Sequence, residues 1–122
     1  MRKRRLLVLI PLTASSFLAT NSSSSSAGSN LCPANRVCIY SDNNWVGLLG
    51  FRAAKLGIAN VSAGANDKTD SWENKTATDA RWYYDTNGGG NCHTMARNTE
   101  RANLAWGPSD ELSSWATNGR CS

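Results

Sequence analysis

Tyr40-Ser41-Asp42-Asn43-Asn44-Trp45-Val46-Gly47 is an aromatic residue, four residues, a second aromatic, one residue and a glycine. Further along, Asp67-Lys68-Thr69-Asp70-Ser71-Trp72 is answered by Asp110-Glu111-Leu112-Ser113-Ser114-Trp115, 43 positions later. Tyr40 is answered by Tyr84, at an offset of 44. A fixed period of this length reads as two copies of one supersecondary unit. Between Asn, Asp, Ser and Gly turn signals lie short β-branched and aromatic runs. Strands are predicted over 37–40, 47–51, 58–61, 80–84 and 91–97, and no stretch keeps helical periodicity over a dozen residues. The chain therefore reads as an all-β sandwich or barrel. Its five tryptophans supply bulk for the core.

The start of the chain is of another kind. Arg2, Lys3, Arg4 and Arg5 precede the apolar run Leu6 to Leu12, and small hydroxyl-bearing residues follow. This is the layout of a secretory signal peptide. The run is too short for a membrane span, which takes roughly 20 apolar residues; the competing reading is an uncleaved anchor on a serine tether. Residues 1–27 are assigned to the signal, with cleavage after Ser25-Ser26-Ala27; cuts after Ala19 or Thr20 also fit. Residues 28–30 are the remnant of a Ser-rich tether and 31–122 the domain. The formal charge of +4 comes from the leader, which holds four of the 13 basic residues and none of the 9 acidic ones. The mature part is balanced, which removes the electrostatic argument for nucleic acid or a membrane surface as partner. A secreted, extracellular monomer is expected.

Four cysteines, Cys32, Cys38, Cys92 and Cys121, all fall in the mature part. In a short secreted chain this reads as two disulfides. Three pairings are open; Cys32–Cys38 with Cys92–Cys121 is favoured because each bridge then stays within one repeat. The spacings do not resemble a zinc site, and His93 is the sole histidine.

Tyr40-x4-Trp45-x-Gly47 resembles the Greek-key signature of βγ-crystallins. The stretches 66–71 and 109–114 resemble that family's two calcium loops, and Leu31-Cys32-Pro33-Ala34-Asn35-Arg36-Val37-Cys38-Ile39-Tyr40 is similar to secreted bacterial members classed as peptidase inhibitors of family I36, whose founding type is a Streptomyces metalloproteinase inhibitor. The resemblance covers roughly residues 31–121. It implies two Greek keys forming a βγ-crystallin-like sandwich, and a calcium ligand set of carboxylates from Asp67 and Asp110 with further oxygens from Asp70 and Ser113. Ser71 and Ser114 would bond loop backbone. The pattern is departed from where Gly89 and Asn91 follow Tyr84 in place of the second aromatic and the final glycine. Asp70 stands where Ser or Thr is usual, and Ser109 where Asn or Asp is usual.

Calcium takes six to eight oxygens at about 2.3–2.6 Å; without an ion, the same Asp and Ser residues would serve as capped turns. No HExxH or GxSxG motif accompanies His93, and no spacing selects a pair of carboxylates, so an enzyme is not expected. A substrate-like peptidase inhibitor needs a rigid exposed segment, because pre-ordering lowers the cost of binding. Cys92-His93-Thr94, beside Gly88 to Gly90 and clamped if Cys92 is bridged, is the candidate; the bland alternative is a hairpin turn with a structural cysteine. A thermolysin-like target, which the resemblance suggests, would want a bulky apolar group after the cut, and His93 is not one. Trp45, Trp82, Tyr83, Trp106 and Trp115 could make a carbohydrate platform but read mainly as core, with one of Trp82 and Tyr83 exposed. Asn60-Val61-Ser62 and Asn74-Lys75-Thr76 fit the glycosylation sequon. The expectation is an inhibitor of an extracellular peptidase, of metalloproteinase class by resemblance. It would need no cofactor, with calcium as the one ion its loops could take. The alternatives are an extracellular calcium-binding module and a killer-toxin-like effector.

Overall fold

Eight short antiparallel strands form two four-stranded sheets in the computed structural model, which describes residues 31–122. The predicted signal (1–27) and tether (28–30) lie outside the described residues. β1 (Arg36–Asp42), β2 (Val46–Ala53), β3 (Ala59–Asn60) and β4 (Ser71–Asn74) make the first repeat, and β5 (Ala80–Tyr83), β6 (Cys92–Met95), β7 (Thr99–Arg101) and β8 (Ser114–Ala116) the second. The sheet orders are β2-β1-β4-β7 and β3-β8-β5-β6. Each repeat thus lends its third strand to the other's sheet, so neither Greek key completes its sheet alone. No α-helix occurs among the described residues.

Alternation explains the core. Val37 and Ile39 of β1, Trp72 of β4, Ala80 and Trp82 of β5, and Trp115 of β8 are buried between the sheets with Met95, Leu104 and Leu112. On the outer face of β1, Cys38 and Tyr40 are also buried, under Cys32, Trp45 and Leu48. The Cys32–Cys38 disulfide draws the start of the domain over that face, and Cys92–Cys121 ties its end to β6. Of the pair Trp82 and Tyr83, Trp82 points inward and Tyr83 is half-exposed.

The hydrogen bonds place the two repeats in register at a constant offset of 43. Asp70 N–H donates to the Tyr40 carbonyl at 2.9 Å, and Ser113 N–H to that of Tyr83 at 2.9 Å. Ser71 Oγ donates to the Asp42 carbonyl and accepts from Trp45 N–H; Ser114 Oγ donates to the Asp85 carbonyl and accepts from Gly88 N–H. Tyr83, not Tyr84, is therefore the counterpart of Tyr40. The final glycine is present as Gly90 (φ +75°), matching Gly47 (φ +78°), and Gly88 replaces the second aromatic. With two tyrosines side by side, spacing alone could not choose between them; the backbone bonds do. β7 was not foreseen, because Thr99, Glu100 and Arg101 are all exposed and carry no apolar alternation.

Candidate functional site

Two regions gather the predicted residues. The first is the pair of acidic loops at the crossing of the repeats. Asp67 N–H donates to the Leu112 carbonyl and Asp110 N–H to that of Thr69, each at 3.0 Å, so each loop closes on the other. Asp67 and Asp110 both hold left-handed backbone, at φ +58° and +63°, a conformation Asp tolerates better than most residues. Ser113 Oγ donates to Asp67 Oδ1 at 3.0 Å, while Ser109 Oγ donates to Asp70 Oδ1. Asp110 lies beside Asp70, and its pKa is raised, first by partial burial of the carboxyl, then by hydrogen bonding to and repulsion from Asp70, with Asp67 adding and Lys68 opposing. The four predicted ligands thus divide into unequal halves: one carboxylate and one hydroxyl at Asp67/Ser113, and two carboxylates, joined by the Ser109 hydroxyl, at Asp70/Asp110. The two departures from the family pattern, Asp70 and Ser109, meet in the same half. Hard oxygen donors and crowded carboxyls fit a divalent cation at Asp70/Asp110. No group of three or more His, Cys, Asp or Glu side chains is close enough to hold a metal among the described residues, so loop carbonyls would have to complete a site.

The second region is β6. Cys92, His93 and Thr94 pair with Tyr83, Trp82 and Arg81 of β5. β6 is the edge of its sheet, so its outer backbone edge has no strand neighbour. The His93 ring stacks on Trp82 (centroids 4.6 Å apart) and Tyr84 (5.5 Å). Its pKa is lowered, by burial first and then by the Arg101 charge. Thr94 Oγ1 accepts from Cys121 N–H at 3.1 Å, next to the disulfide. His93, Thr94, Arg101, Leu104 and Pro108 line a cavity of about 230 Å³ floored by Trp72 and Trp82. Sequence reasoning missed Tyr84 and Arg101 here; only the strand register brings them to His93.

The aromatics do not assemble into a platform. Trp72, Trp82 and Trp115 are in the core, and Trp45 is half-buried with its indole N–H donating to the Trp72 carbonyl. Of the tryptophans, Trp106 alone is exposed, at 98%. Of the two sequons, Asn74 is buried, its amide donating to the Thr78 and Met95 carbonyls, so a glycan has no room there.

A family model described as peptidase inhibitor family I36 matches residues 25–96. Among curated proteins none matches. Among solved structures, a βγ-crystallin domain studied for the evolution of the eye-lens fold is 23% identical, over 69% of this chain and 86% of that one, with a TM-score of 0.58. A βγ-crystallin from an archaeon is 24% identical, over 70% and 99%, with a TM-score of 0.55. A βγ-crystallin domain from Flavobacterium johnsoniae is 25% identical, over 70% and 98%, with a TM-score of 0.53. The fold is that of the βγ-crystallins.

Proposed function

This chain belongs to peptidase inhibitor family I36, and from that premise we propose that it is a secreted inhibitor of an extracellular peptidase, of the metalloproteinase class, acting through rigid binding of Cys92-His93-Thr94 and without chemistry of its own. The observation that carries the reading is the immobilisation of that segment. A disulfide holds one end, β5 holds its inner edge in register, and two aromatic rings hold the imidazole. A segment ordered before encounter loses little conformational entropy on binding. An edge strand also offers free backbone groups to an extended cleft. His93→Ala is expected to weaken inhibition of the target at least tenfold in a residual-activity titration, with the fold intact by circular dichroism. Unchanged inhibition would move the reactive site elsewhere.

A second reading is favoured by the Asp70/Asp110 pair, whose crowded carboxyls a cation would relieve: an extracellular module that binds calcium weakly. Adding millimolar calcium to the chelated protein should raise its melting temperature, and Asp110→Asn should abolish the shift. A wild-type melting curve indifferent to calcium would end this reading.

A further inference from the structure

The geometry points to Trp106 as the anchor by which this protein seats in its target: an interaction knob that fits an apolar pocket with a cationic rim in the substrate cleft of the peptidase. The inference rests on the inhibitor reading and adds the contact that His93 cannot supply, a bulky apolar group.

The case against an incidental surface residue begins with the repeat. At the offset of 43, Trp106 corresponds to Ala63. Both loops close by similar means: Val61 N–H donates to the Ser113 carbonyl and Leu104 N–H to that of Asp70. The fold is complete in the first loop with alanine, so the second has no structural need of an indole. The other four tryptophans are buried or half-buried. Trp106 is 98% exposed, and tryptophan, a large apolar body with one N–H handle, is a residue enriched at interfaces.

The loop is also held. Ala105 has left-handed backbone at φ +72°, and Gly107 follows at φ +123°. Ala105 N–H donates to Asn103 Oδ1 at 2.8 Å, and Ser109 N–H to the Ala105 carbonyl at 3.1 Å. Asp110 N–H then anchors the far end on the Thr69 carbonyl. Left-handed backbone at a residue other than glycine or asparagine persists where surroundings enforce it, and such places cluster at ligand clamps. Tryptophan carries more binding energy at interface centres than most residues, above all when presented in place.

Charge and continuity describe the occupant. Trp106, Gly107, Ser109, Asp110 and Glu111 line one recess, which holds two carboxylates and no basic side chain. Among the described residues, Lys68 is the cation whose charge bears on Asp110. An acidic shoulder beside an indole complements an apolar pocket with a basic rim. Along the same loop, Leu104 and Pro108 line the cavity that His93 and Thr94 share. The knob and the clamped edge strand therefore belong to one continuous surface.

The test uses the full chain, expressed with its leader in a secreting host and oxidised. Wild type, Trp106→Ala, Trp106→Phe and His93→Ala would be titrated against thermolysin-type zinc peptidases and subtilisin- and trypsin-type serine peptidases. Trp106→Ala is expected to weaken inhibition roughly 30-fold or more, with an unchanged melting temperature because the side chain packs on nothing. Trp106→Phe should keep most of the inhibition. Wild-type inhibition matched by Trp106→Ala would overturn this inference alone. Absence of inhibition by wild type would overturn the inhibitor reading and this one with it. A wild-type dimer in sedimentation that Trp106→Ala dissolves would assign the knob to a second copy of the chain and overturn the peptidase as its occupant.

Discussion

Ser71 and Ser114 are buried, and each hydroxyl satisfies two backbone groups of the hairpin it closes: Ser71 the Asp42 carbonyl and Trp45 N–H, Ser114 the Asp85 carbonyl and Gly88 N–H. Alanine at either site would leave two polar groups without partners in a tight turn. Each substitution should cost about 1–3 kcal/mol, read as a lower urea midpoint; a change below about 0.5 kcal/mol would mean that water replaces the hydroxyl. The role was legible in the sequence as a final serine before a core tryptophan. His93 was legible as part of a clamped candidate segment but its surroundings were not, since its neighbours Trp82, Tyr84 and Arg101 are assembled by strand pairing. Its folded pKa lies below the ordinary 6.5, so the fold favours the neutral ring. The stabilisation is fully present above pH 6.5 and is lost as pH falls through the folded pKa. Between about pH 7.5 and 5, wild type should lose more in melting temperature than His93→Gln. Equal losses would show that the imidazole titrates freely.

At the scale of elements, the β5–β6 hairpin shows what composition can conceal. The run Gly88-Gly89-Gly90 suggests an open, mobile turn, yet Gly88 and Gly90 hold defined left-handed backbone at φ +74° and +75°. A Cβ on Gly90 would stand 2.6 Å from Asp85 Oδ2, and one on Gly88 2.6 Å from the Ile58 side chain. The glycines replace an aromatic and repeat the first hairpin's shape rather than loosen it: there Asn44 and Trp45 hold φ +61° and +59°. Gly90→Ala combines backbone strain with that contact and should cost about 1–2 kcal/mol, measured by urea unfolding; an unaffected midpoint would show the turn to be pliant. Strands with inward apolar residues were legible in outline, as at 37–40 through Val37 and Ile39 and at 80–84 through Ala80 and Trp82. β7 was not, because an exposed polar strand is held by its partner β4 and not by its own pattern.

For the whole molecule, the period of 43 predicted the architecture because the hydrogen-bonded turns and the core pair Trp72 and Trp115 recur with the repeat. What the period could not carry is the asymmetry. Family membership points to an inhibitor scaffold, built on the βγ-crystallin fold, while the features proposed to act, His93 on an edge strand, Trp106 and the Asp70/Asp110 pair, are all places where the repeats differ. At the offset of 43 their counterparts are Gly50, Ala63 and the Asp67/Ser113 pair. A duplicated scaffold keeps its symmetry where folding requires it and departs from it where folding is indifferent, so function is best sought in the differences. The most direct test of the central claim is a titration of the oxidised, secreted protein into a fixed concentration of a thermolysin-type peptidase, with a chelation-tolerant serine peptidase in parallel. Residual activity should fall linearly to a one-to-one equivalence point with the metallopeptidase and stay flat with the serine enzyme. Full activity of both at a large molar excess would contradict the account.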